Sequence, residues 1–183
     1  MSEDLEAAIG AAFQDPEVQS RMAELEKNPD AARKLKEVVE KLKKRYGGPI
    51  KWGKRIDTWD KYLAGLGLAG QIGALVGTPV ASFIAGATEK AIELIPKIPY
   101  AAYYATKTGH VTALPFWATM EAFSLIPYVG VLATFQDTYY KTAMKKLNKE
   151  VKQAAVEAGR YAEIKNYGKK WREILSGEQV KAA

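Results

Sequence analysis

Gly65-Leu66-Gly67-Leu68-Ala69-Gly70 spells the Gly-x-Gly-x-x-Gly string that can cradle a dinucleotide pyrophosphate. That chemistry needs a strand before the first glycine, a helix opening onto the phosphates and an acidic residue roughly 20 positions on. Asp57 to Leu63 has no strand pattern and Glu89 falls in the wrong context, so these glycines read as small residues for helix packing. His110 is the only histidine and there is no cysteine, so the chain has no ligand set at transition-metal spacing, no thiolate nucleophile and no disulfide. A Ser-His-acid triad around His110 has no support, and no lysine sits in a Walker-type phosphate loop. His110 reads as a structural histidine after the turn Lys107-Thr108-Gly109. The expectation is a non-enzymatic protein with no cofactor, no metal and no small-molecule substrate.

The charged residues point to surfaces instead. Lys43, Lys44, Arg45, Lys51, Trp52, Lys54 and Arg55 form an aromatic and basic stretch, and Lys145, Lys146 and Lys149 form a second basic run. Indole rings favour the headgroup level of a membrane and cations favour anionic lipid, while the same composition also suits a nucleic-acid backbone. Both runs are assigned to polyanion or lipid headgroup contact. Glu89, Lys90, Glu93, Lys97 and Glu121 are charges set among apolar residues. Glu93 and Lys97, four apart in acid-to-base order, read as a helix-surface ion pair. Lys90 and Glu121 occupy equivalent places in a repeat described below and are read as a buried ion pair between two paired helices.

Those residues must be held by helices. Ala, Glu, Lys and Leu are prominent and no run of alternating β-branched residues occurs, so the fold class is all-α, a helical bundle within 183 residues. Asp15-Pro16 and Asn28-Pro29 each set a capping residue before a proline at the first helical position. The helix that follows Asn28 places Ala32, Leu35, Val38, Val39 and Leu42 on one face and is expected to stop at Gly47-Gly48-Pro49. From Tyr62 to Gly86 no side chain is charged, which exceeds the roughly 20 residues that span a bilayer. Within that stretch Gly65, Ala69, Gly73, Gly77, Ala81 and Ala85 recur every fourth residue, a ridge that allows close helix approach. Val80–Pro96 and Val111–Pro127 align as a 31-residue repeat, each unit ending in Leu-Ile-Pro. One long basic helix is expected past Gly130, followed by a looser helical tail marked by Gly159, Gly168 and Gly177.

The charge balance divides the chain into three. Residues 1–30 carry eight acids and two bases, and residues 31–57 ten bases and three acids. Residues 58–137 hold nine charges in all, whereas residues 138–183 have eleven bases and five acids. The organisation read from this is a soluble helical segment over 1–57, an apolar helical core over 58–137 and a basic helical stem over 138–183. Met1 to Glu6 lacks the positive start and apolar stretch of a secretory signal.

The first functional reading is a small integral membrane protein forming an oligomeric scaffold or channel-like assembly through the Gly/Ala ridge. It has both termini cytoplasmic and crosses the membrane near 62–86 and 111–136, with a polar hairpin between. The alternative is a self-assembling coat or filament subunit, of the kind found in virions, whose basic segments bind nucleic acid. Both make the chain a homo-oligomer, with membrane lipid the partner in the first and nucleic acid in the second.

Overall fold

The computed structural model describes residues 3–74, 95–112, 114–115, 117–119 and 138–176, with 63–74 and 138 described by backbone alone. The chain is an all-α bundle, with no strand among the described residues. Its helices are α1 (Glu3–Phe13), α2 (Pro16–Glu26), α3 (Pro29–Ala74), α4 (helical residues 95–108) and α5 (Thr138–Leu175). No helix among the described residues is long and apolar enough to cross a membrane. Of the stretches 62–86 and 111–136, residues 75–86, 113, 116 and 120–136 lie outside those residues.

Two compact units divide the chain, one of Met1–Lys44 with Met144–Ala183 and the other of Arg45–Ala143. In the first, α1 buries Leu5, Ala8, Ile9 and Ala12, a spacing that follows the helical turn. Asp15 caps α2, its Oδ1 accepting the Glu17 N–H at 3.0 Å, with Pro16 pre-set at the first helical position. Asn28 does the same for α3, accepting the Ala31 N–H at 3.1 Å. The face of α3 that enters the core here is Ala31, Leu35, Val39 and Leu42. Val38 is 39% exposed and Ala32 is exposed, so the buried stripe is rotated from the one read in the sequence. Leu147, Val151, Ala155 and Ala162 supply the fully buried face of α5.

Helix α3 does not stop at Gly47-Gly48-Pro49; it runs through all three residues to Ala74. An interior proline removes one amide donor and costs about 3 kcal/mol in an exposed helix. Burial offsets that cost, because Pro49 is among the fully buried side chains and Ile50 beside it is 1% exposed. Gly48 is in contact with the Tyr103 ring, which would collide with any β-carbon there. The C-terminal stem likewise has no loosening at Gly159 or Gly168, for α5 is one helix of 38 residues. At Gly159 the Arg21 side chain packs where a β-carbon would sit, 2.6 Å from its Cβ.

Candidate functional site

In the second unit, α3 and α4 face one another through side chains that recur at three- and four-residue intervals. Tyr46, Pro49, Ile50, Gly53, Ile56, Asp57 and Asp60 are the buried positions of α3 in this unit, and Lys97, Tyr100, Tyr104 and Thr108 those of α4. The interior between them is aromatic. Tyr100 lies 5.8 Å from Trp52, 5.4 Å from Trp117 and 5.4 Å from Tyr139, measured between ring centroids. Trp117 also stands 4.9 Å from both Tyr104 and Tyr139. Aromatic pairs at such separations add about 0.5–1.5 kcal/mol each beyond their burial.

Two carboxylates are buried beside these rings. Asp57 accepts the Tyr139 N–H through Oδ1 at 3.2 Å and the Tyr140 N–H through Oδ2 at 2.7 Å. These are the second and third residues of α5, whose amides have no acceptor within their own helix. A carboxylate there also suits the positive end of the helix dipole, so a residue of α3 caps α5 from outside. Gly53, one turn before Asp57, makes the approach possible. A β-carbon on it would lie 3.2 Å from Tyr139 C and Tyr140 N and 2.9 Å from the Tyr100 hydroxyl.

Asp60 takes the second charge. Its Oδ2 lies 3.0 Å from Lys97 Nζ, with side-chain exposures of 11% and 6%. Lys97 Nζ is also 6.0 Å from the centroid of the Tyr139 ring. Lys97 is therefore buried and pairs with a residue of another helix, whereas Glu93, its expected partner, lies outside the described residues. Two polar atoms close by, the Tyr100 hydroxyl and the Trp117 Nε1, are buried without a hydrogen-bond partner among the described residues. Burial, reinforced by Tyr104, the Asp57 carboxylate and Tyr103, pushes the Tyr100 phenol far above its ordinary 10.0.

At the far end of α4, Gly109 adopts φ +76° and ends the helix, and its N–H donates to the Ala105 carbonyl at 2.8 Å. His110 Nε2 then lies 2.7 Å from the Tyr46 hydroxyl, a structural tie between α3 and the turn. Among the described residues no group of His, Cys, Asp and Glu is placed to hold a metal ion.

Along the chain, this cluster is a crossroads: Asp60 meets Lys97 across residues 61–96, and Trp117 meets Tyr139 across residues 118–138. Its rim is apolar and exposed. Trp59 (42% exposed) stacks with Tyr62 (61%) at 6.2 Å, and Ile95 and Ile98 are 70% and 67% exposed. A groove of about 720 Å³ opens there, lined among the described residues by Trp52, Arg55, Ile56, Trp59, Ile95 and Pro96.

The structure divides the residues singled out in the sequence. Trp52 is half-buried on Tyr100 and Tyr103, Lys54 Nζ lies 5.6 Å above the Tyr140 ring, and exposed Arg55 lines the groove. Lys51 and Arg45 are exposed on the same stretch of α3. Lys43 belongs to the other unit, where it is only 15% exposed and bridges Glu40 at 3.1 Å and Glu6 at 3.3 Å. The hydrogen bond to Glu40 leads in raising its pKa, so Lys43 is a structural tie and not an open polyanion contact. Lys44, Lys145 and Lys149 are exposed and Lys146 half-buried in that unit. Gly65, Ala69 and Gly73 lie on the helical backbone of α3, whereas Gly77, Ala81, Ala85, Lys90 and Glu121 lie outside the described residues.

Sequence reading missed Asp57, Asp60, Tyr100, Tyr104, Trp117 and Tyr139 as one cluster. The Lys97-Tyr100-Tyr104-Thr108 spacing was the available signal, a helical stripe that is aromatic in the middle and polar at both ends. No family model matches this chain, and no curated protein or solved structure is found to be similar to it.

Proposed function

We propose that this chain is a membrane-anchored helical scaffold, in which residues 62–94 and 120–136 enter lipid and the aromatic and ionic cluster sits at the level where they leave it. The observation that carries this reading is the crossroads itself. Residues flanking both apolar stretches meet in one packed cluster, Asp60 with Lys97 and Trp117 with Tyr139, whose rim exposes Trp59, Tyr62, Ile95 and Ile98 beside Lys54 and Arg55. Tryptophan, tyrosine and cations flanking apolar segments are the composition of a headgroup-level anchor. Exposed large apolar side chains gathered at one place also mark a contact surface.

The arrangement differs from two single crossings with a polar hairpin on the far side. Asp60 and Lys97 are 3.0 Å apart, and a hydrocarbon core is about 30 Å thick, so a chain crossing once between them would have to break the pair. The Trp117 and Tyr139 rings are 4.9 Å apart, so a chain crossing once between them would likewise have to part that contact. In the proposed arrangement each excursion enters and leaves lipid on the same side. The buried ionisable groups then have structural work: Asp57 caps α5 and Asp60 pairs with Lys97.

Membrane fractionation followed by an alkaline wash tests the proposal. The chain is expected to stay with the lipid pellet, and its release into the supernatant would refute membrane anchoring. If the released chain then bound nucleic acid with an affinity falling steeply as salt rises, the coat or filament reading would take its place.

A further inference from the structure

The last three turns of α5 are inside out. Ile164, Tyr167, Trp171, Ile174 and Leu175 are 71%, 59%, 61%, 44% and 80% exposed. At about 3.6 residues per turn they fall in one sector of the helix, with Trp171 in its middle and Gly168 at its edge. The opposite, polar side is the one that folds onto α2. There Asn166 Nδ2 donates to the Glu24 carbonyl at 3.1 Å and to its carboxylate at 2.8 Å. Ala162 on that side is fully buried, and Glu163, which borders the apolar sector beside Lys170, pairs with Arg21 at 2.9 Å. Water alone would favour the reverse, so the helix holds its apolar side open for something else.

The charges around that side say what it is. Lys170 borders the apolar sector on one edge, and Lys165 and Arg172 border it on the other. Lys169 sits further round and is engaged with Glu173 at 3.8 Å, and Glu163 is neutralised by Arg21. An apolar face with Trp and Tyr and a cation along each border is the pattern of a helix lying in a membrane surface. Its rings sit among the headgroups and its long cationic side chains reach up to the phosphates. A second copy laid face to face would set Lys165, Lys170 and Arg172 against their own counterparts, whereas an anionic surface meets all three favourably.

We infer that residues 164–175 form a surface-lying contact with anionic lipid, separate from the apolar excursions of the other unit. This deepens the membrane reading and rests on it. Binding by such a face follows both its buried apolar area and the negative charge of the leaflet. Lipid composition therefore controls this contact while leaving the anchor unchanged.

The absence of cysteine gives a direct test. Gly168→Cys places a single thiol at the edge of the face, between Leu175 and Arg172, where a new side chain meets nothing within 4 Å. With a nitroxide attached and the full chain reconstituted into vesicles containing phosphatidylserine, the label should lose its exposure to a water-soluble nickel chelate. It should stay exposed in pure phosphatidylcholine, and become exposed again at roughly 1 M salt, where the Debye length is about 3 Å. A label at Lys169→Cys, off the apolar face, should remain accessible throughout. The triple variant Lys165→Glu/Lys170→Glu/Arg172→Glu should float with the vesicles and keep its Gly168→Cys label exposed. If the label stays accessible in anionic vesicles with which the chain floats, the inference fails and anchoring stands. Spin–spin broadening between labels would assign the face to a second copy and also overturn it. A chain that floats with neither vesicle overturns both readings.

Discussion

Lys97 and Asp60 offset one another's charge in a buried place. Burying an ammonium and a carboxylate costs several kcal/mol of hydration per ion, repaid by their attraction when the geometry is close. Lys97→Met should therefore destabilise the fold by about 3 kcal/mol or more, since it strands a buried carboxylate. The double change Lys97→Met/Asp60→Leu should recover most of that loss, and thermal melts of the four proteins of the cycle measure it. Additive losses would show that the pair is not coupled. Nothing local in the sequence announces this pair. Lys97 follows Glu93 at the spacing of an exposed helix pair, yet it is buried against a carboxylate 37 positions earlier on another helix. Periodicity tells which side chains share a face, but not which face another helix will cover.

Helix starts were legible, and so was the stop at Gly109, but the stop expected at Gly47-Gly48-Pro49 was not one, for a physical reason. Asp15-Pro16 and Asn28-Pro29 act through groups within three residues, and both do start helices. Gly47-Gly48-Pro49 is a local stop that distant packing overrides, through Tyr103 on Gly48 and the burial of Pro49. The glycines of α3 should therefore respond with opposite signs. Gly47 has open space where a β-carbon would go, so Gly47→Ala should stabilise by about 0.5–1 kcal/mol through helix propensity. Gly53→Ala gains the same propensity but meets the backbone of α5 and the Tyr100 hydroxyl, and should lower the melting temperature. Equal responses at the two sites would argue against the close approach of α5. At the start of α2, Lys152 reaches Asp15 at 2.9 Å and Glu17 at 3.4 Å. That hydrogen bond is the main reason that the Asp15 carboxyl lies below its ordinary 3.8, and the same bond raises Lys152 above 10.5. A depressed carboxyl stabilises the fold at pH values above 3.8, and this contribution is lost as pH falls through the lowered value. The raised lysine gives a contribution present below 10.5 and lost as pH climbs through its own value. In Lys152→Met the acid limb of the stability profile should flatten, read as a smaller difference in melting temperature between neutral and acid buffer.

The all-helical class was plain from composition, yet the path of the chain was not, because two apolar stretches look alike whether each crosses lipid once or turns back. The contacts at the crossroads favour turning back, and labelling can decide it. Single cysteines at Thr58 and Ile98, both exposed, flank the first excursion. In sealed vesicles a membrane-impermeant maleimide should reach both or neither, whereas a single crossing would expose only one. The buried phenol of Tyr100 carries one more consequence, for how the cluster can be watched. Ten tyrosines are present, and those in water ionise near pH 10.0 with a rise in ultraviolet absorbance. Tyr100 stays neutral while the cluster is closed, so above the ordinary phenol value the open form is favoured progressively as its tyrosine loses a proton. A jump to alkaline pH should then show a prompt rise from the exposed rings and a later one as the cluster opens. Tyr100→Phe should remove amplitude from the slow phase, making one side chain a clock for the unit that holds both excursions together.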